Sequence, residues 1–131
     1  MADELASTRQ CVLDGLAIYA ALRGTERAEA MRRTVDSGDV GSTMTAMSME
    51  FVFGRVWSRD VLDAKQRSLV TIGILIALRQ TEELKNHIRI GLKNGLTVRQ
   101  IEEATIQAAA YAGFPAAHTA SNAILEVLRD S

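Results

Sequence analysis

Apolar residues recur every three to four positions along most of this chain, and a few glycines interrupt them. Val12, Leu16, Tyr19 and Ala20 share one face of a helix predicted over about 7–22, and Gly24 stands where a stop is needed. Thr25 is placed to cap a second helix to about residue 36, with Ala28, Met31 and Val35 inward. Ser37-Gly38-Asp39-Val40-Gly41 reads as a loop. Met44, Met47, Phe51 and Val52 then predict a third helix with a soft methionine-rich face, ending near 54–58.

The second half carries stronger punctuation. Asp63-Ala64-Lys65-Gln66 has the form of a capping box and opens a helix over about 64–79. That helix is apolar nearly all round, which predicts burial on most sides. Thr81 is placed to cap the next helix, with Glu82 and Glu83 in the first turn, and Asn94-Gly95 ends it. Thr97-Val98-Arg99-Gln100 repeats the box before a helix through Tyr111. Gly113-Phe114-Pro115 breaks that helix and puts Pro115 in the first turn of the last one, to about 129. Six to seven helices with short connections predict an all-α fold, one compact domain over 1–131. So apolar a centre in so short a chain predicts helices buried between subunits.

Composition narrows the classes. Hydrophobic residues are 47% and charged residues 24% of 131, which suits a packed core and excludes general disorder. One proline and few aromatics do not suit a β-sandwich. The net charge is −1 and no run of like charge exceeds two residues, so no nucleic-acid arm or membrane patch is expected. A single cysteine, Cys11, excludes an internal disulfide. The longest apolar run, Leu69 to Leu78, is too short to span a bilayer. An acidic start (Asp3, Glu4) without a secretory apolar segment predicts a cytoplasmic protein.

Candidate chemistry gathers in Thr81-Glu82-Glu83-Leu84-Lys85-Asn86-His87-Ile88, which holds one of only two histidines. Glu83 and His87 are four apart and share a helix face. A carboxylate that holds one imidazole nitrogen sets the tautomer and raises the basicity of the other, as a general acid or base requires. At this spacing such a pair is also a common solvated surface feature.

The segments around this pair form an ordered set: Phe53-Gly54-x-Val56-Trp57-x-Arg59, Leu62-Asp63-x-x-x-Arg67-Ser68-Leu69-Val70-Thr71-Ile72, Glu83-Leu84-x-x-His87-Ile88, Asn94-Gly95-Leu96-Thr97, Ile101-Glu102-Glu103, and Gln107-x-Ala109-x-Tyr111-x-Gly113-x-Pro115-Ala116-Ala117. From Glu50 to Ala120 the chain resembles the carboxymuconolactone decarboxylase family, in its 4-carboxymuconolactone decarboxylase branch. The resemblance implies a small all-helical protein assembled as a homotrimer or homohexamer. It implies conversion of 4-carboxymuconolactone, a carboxylated lactone, to the enol-lactone of 3-oxoadipate in aromatic breakdown, with release of CO2 and with no metal or organic cofactor. A second branch resembles alkylhydroperoxidase partner proteins and carries Cys-x-x-Cys before the matching histidine. Here those positions hold Gln80 and Glu83, so thiol–disulfide exchange is excluded.

Within this resemblance His87, oriented by Glu83, is the expected proton donor. Arg67 is placed to hold a substrate carboxylate, or else to pair with Asp63 four residues earlier. Trp57 would wall the pocket and offer its indole N–H, or else anchor a core. His118, in the first turn of the last helix, would stay neutral there and donate to an oxyanion. The branch carries Asn at that place, and an Arg-His-Ala-Trp-Gly stretch where this chain has Glu50-Phe51-Val52-Phe53-Gly54. Glu50 is therefore a candidate pocket residue in a more apolar wall, suited to a larger or less charged acid. The same pair would serve an isomerase, cyclase or retro-aldol lyase of the family. A non-catalytic helical oligomer is the remaining alternative.

Overall fold

The structure is a computed structural model that describes residues 2–131. Among them are seven α-helices, one π-helical segment and no strand, so the fold is all-α as expected. The helices are α1 (Ala2–Arg23), α2 (Thr25–Ser37), α3 (Ser42–Ser48), α4 (Ala64–Ala77), α5 (Thr81–Lys93), α6 (Val98–Ala112) and α7 (Phe114–Arg129). The π-helical segment, Met49–Val56, continues α3 without a break. The chain divides into two compact units, 1–61 and 62–131.

In the first unit α1 lies along the π-helical segment, with α2 and α3 beside them. Two glycines allow this approach. A Cβ on Gly15 would fall 1.8 Å from the Met49 carbonyl oxygen, and one on Gly54 would fall 2.4 Å from that of Cys11. The backbones are in direct contact, which no side chain permits. Leu16, Met49 and Phe53 are buried there, and the Tyr19 ring meets Phe53 edge-on at 5.1 Å.

This contact corrects the predicted face of the third helix. Met44, Met47 and Phe51 are exposed at 72, 60 and 62%, whereas Met49 and Phe53 are inside. Gly54 must face α1, and that requirement overrides the methionine spacing. The backbone accommodates it with a wider turn, marked by the i→i+5 bond in which Trp57 N–H donates to Val52 O at 2.9 Å.

In the second unit α5 packs on α4 and α7, and α6 bridges α4 and α7. Ile72, Ile88, Ile101, Ala120 and Val127 form its nearly inaccessible centre. Both predicted capping boxes are present, Asp63 with Gln66 and Thr97 with Gln100. Pro115 lies in the first turn of α7, and Gly95, at φ 101°, closes α5. Two predicted caps are absent. Gly24 and Gln80, not Thr25 and Thr81, precede α2 and α5, and the threonines are the first helical residues. In each case the preceding residue already turns the chain, so the threonine is drawn into the helix.

α4 departs from expectation in its surroundings. Ser68, Ile72 and Ile76 face the core, but Val70, Ile74 and Leu78 are more than half exposed. Just past the helix end stands Arg79, the one described non-glycine residue with positive φ, 60°. Gln80 N–H reaches back to Leu75 O at 3.1 Å, closing the turn into α5.

Candidate active site

α5 owes its position to one buried face, formed by Leu84, His87, Ile88, Ile90 and Gly91. Gly91 lets α4 close in: a Cβ there would meet Leu96 at 3.1 Å and Ile72 at 3.4 Å. Beyond it, Asn94 Nδ2 donates to Oγ of the fully buried Ser68 at 3.0 Å. This bond sets position 68 of α4 level with position 94 of α5. Arg67, next to Ser68, is half-buried.

His87 is 8% exposed, low for an ionisable side chain. Its Nδ1 is buried, and its Nε2 lies 3.8 Å from Oε2 of Glu83, whose side chain is 60% exposed. The two side chains share a face of α5 as expected, but their approach is longer than a hydrogen bond, and the nitrogen opposite Glu83 is the buried one, not one left open for proton transfer. The contact involves the outward nitrogen. Proton exchange with a ligand at Nε2 and contact with Glu83 share one side of the ring.

Glu83 is itself held. Asn86 Nδ2 donates to Glu83 Oε1 at 2.9 Å, and Arg89 Nη1 approaches Asn86 Oδ1 at 3.4 Å. Arg89 Nη2 lies 3.6 Å from Oδ2 of Asp130, which follows α7. Asn86 and Arg89 were not among the residues singled out from the sequence. Their i,i+3 spacing was visible there, but polar pairs at that spacing are too common to stand out.

The other candidates have surroundings of their own. His118 is exposed on α7, its ring 6.3 Å from that of Phe114. Glu50 and Trp57 belong to the first unit. The Glu50 carboxylate takes an ion pair from Arg55 at 3.2 Å. Trp57 is half-buried at the end of the π-helical segment. A separate apolar groove of about 620 Å³ runs between α4 and α6, past Leu69, Val70, Gly73, Ala104 and Tyr111, and none of the six candidates lines it. Among the described residues, no three His, Cys, Asp or Glu side chains cluster as a metal site would need, and no helix is long and apolar enough to cross a membrane.

Comparison with known proteins gives this geometry a context. A 4-carboxymuconolactone decarboxylase of Acinetobacter baylyi is 41% identical over 80 residues, which cover 61% of this chain and 60% of that protein. A nitrosuccinic acid decarboxylase of Metarhizium robertsii is 46% identical over 66 residues, covering 50% of this chain and 46% of that one. The chain therefore spans less than two thirds of either decarboxylase. An uncharacterized 15.0 kDa protein of Paracoccus denitrificans is 33% identical over 101 residues, 71% of this chain and 75% of its own. Residues 43–126, from α3 to the last turn of α7, match the carboxymuconolactone decarboxylase family, and the chain belongs to that family.

Proposed function

We propose that this protein is a decarboxylase that removes CO2 from a carboxylated lactone or related acid, with His87 supplying the proton. The observation that carries this reading is a histidine ring buried beside a carboxylate, inside residues 43–126 that match the family, in a chain similar to two proteins named for decarboxylation.

The two acids in those names have a common skeleton. Each is a succinic acid substituted at one carbon, which bears a carboxylate, a CH2–COO− arm and an electron sink. The sink is the unsaturated lactone carbonyl in 4-carboxymuconolactone and the nitro group in nitrosuccinic acid. Cleavage of the C–CO2 bond leaves its electron pair in the sink, as a dienolate or a nitronate. An acid then returns one proton to carbon. Electrons balance within the substrate, so the step requires no oxidant or reductant.

Three tasks fall to the protein. His87 delivers the proton from Nε2, the nitrogen on the Glu83 side. Arg67 holds the retained CH2–COO− arm, for which a guanidinium offers two parallel donors. His118 is the candidate donor toward the oxygen that gains charge. A place in aromatic breakdown goes with the lactone acid as substrate.

The exposed apolar face of α4, Val70 and Ile74 with Leu78 just past its end, supports assembly as a homotrimer or homohexamer that covers it.

The test is CO2 release from the purified protein with 4-carboxymuconolactone and with nitrosuccinate. Turnover of at least one is expected, and none of 2-methylsuccinate, which lacks a sink. Arg67→Lys should raise KM about tenfold or more through loss of the bidentate contact. Absence of turnover with both acids ends the decarboxylase reading.

A further inference from the structure

The chain of polar groups behind Glu83 alternates acceptors and donors. It runs from Asp130 to Arg89 at 3.6 Å, Arg89 to Asn86 at 3.4 Å, Asn86 to Glu83 at 2.9 Å, and Glu83 to His87 at 3.8 Å. An amide side chain is ambiguous in isolation, because its oxygen and nitrogen exchange places on a flip. Here the neighbours remove the ambiguity. Arg89 has donors only, so Asn86 turns its oxygen toward Arg89 and its NH2 toward Glu83. A carboxylate accepts what that NH2 donates.

The consequence is geometric. With Oε1 tethered by Asn86, rotation of the Glu83 carboxylate is restricted and Oε2 is left facing His87 Nε2. Glu83 is largely exposed and, untethered, would sample several rotamers. Arg89 is anchored at its far side by Asp130, beyond the end of α7. The chain of contacts thus reaches past α5 to the residue that follows α7.

The geometry points to Asn86 as a positioning residue, backed by Arg89, that acts through Glu83 to hold the carboxylate against the His87 imidazole. This inference rests on the reading of His87 as the proton donor only for its catalytic consequence. The positioning itself is open to measurement without any substrate.

The test uses Asn86→Leu, which is similar in size and lacks the donor, in the wild-type and Glu83→Gln backgrounds. The first readout is the ring 15N chemical shifts of His87, distinguished from His118 by the spectrum of His118→Asn. Asn86→Leu is expected to move the His87 shifts in the same direction as Glu83→Gln, by a smaller amount, and to move nothing further once Glu83 is Gln. Arg89→Met should give a weaker version of the same change. The second readout is kinetic: kcat should fall by up to about tenfold with KM within about twofold. Unchanged His87 shifts in Asn86→Leu overturn the inference, as does an equal change in the Glu83→Gln background. If the shifts respond as expected while neither acid is decarboxylated, the positioning stands and the decarboxylase reading falls.

Discussion

Nε2 of His87 and Oε2 of Glu83 stand 3.8 Å apart on one face of α5, the imidazole buried and the carboxylate largely in solvent. The asymmetry matters for chemistry. The ring is held by the core around it, while the carboxylate stands at the surface, where Asn86 holds it.

If His87 is the proton donor, His87→Ala should abolish decarboxylation, by roughly 10²-fold or more, while the far-ultraviolet CD spectrum stays helical. Because the ring is buried, truncation also leaves a cavity, so His87→Gln serves as the better-packed companion. Full activity in either variant would place the donor elsewhere.

Gly15→Ala separates packing from helix propensity. In an open helix the change would gain up to about 1 kcal/mol. Here the new Cβ would stand 1.8 Å from the Met49 carbonyl oxygen, so α1 must move off the π-helical segment. Urea denaturation should show a loss of about 1–3 kcal/mol. A gain in stability would mean that the two backbones are not in contact.

Arg79→Gly should act in the opposite direction. Arg79 holds a left-handed conformation that costs a non-glycine residue about 1–2 kcal/mol, and its side chain is exposed. After the extra flexibility of glycine in the unfolded chain is subtracted, a net gain of about 0.5–1 kcal/mol is expected in the same denaturation experiment.

Lys85 ties α5 to α7 through Glu126 at 2.6 Å and also holds Glu82 at 2.9 Å. The hydrogen bond from Lys85 lowers the Glu126 carboxyl below its ordinary value, and the bonds from Glu126 and Glu82 raise the Lys85 ammonium above its own. The Glu126 contribution to stability is therefore present above the unfolded carboxyl range and lost as pH falls through the lowered folded value. That of Lys85 is complete below the unfolded lysine value and lost as pH rises through the raised folded one. Thermal melts of Glu126→Gln and the parent should differ most near neutrality and converge in acid. Parallel curves across the acid range would contradict the bridge.

A homotrimer or homohexamer should sediment at a multiple of 14.3 kDa. Ile74→Glu, on the half-exposed face of α4, should shift that species toward monomer, because burying an unpaired carboxylate in a contact is costly. A monomeric parent protein would leave that face uncovered and refute the assembly.

The sequence by itself determined what is written within a turn or two of helix. The two capping boxes, the Gly95 stop, Pro115 in the first turn of α7 and the shared face of Glu83 and His87 all depend on neighbours three or four residues apart. Only the tertiary structure decided the rest. Gly15 and Gly54, 39 residues apart in sequence, set which face of the third helix turns inward, and the methionines gave way. The Ser68–Asn94 bond tied α4 to the end of α5, and Asp130 met Arg89 from beyond α7. Such contacts arise between segments far apart in the chain. Their geometry follows from how closely two backbones can approach, which no local spacing encodes.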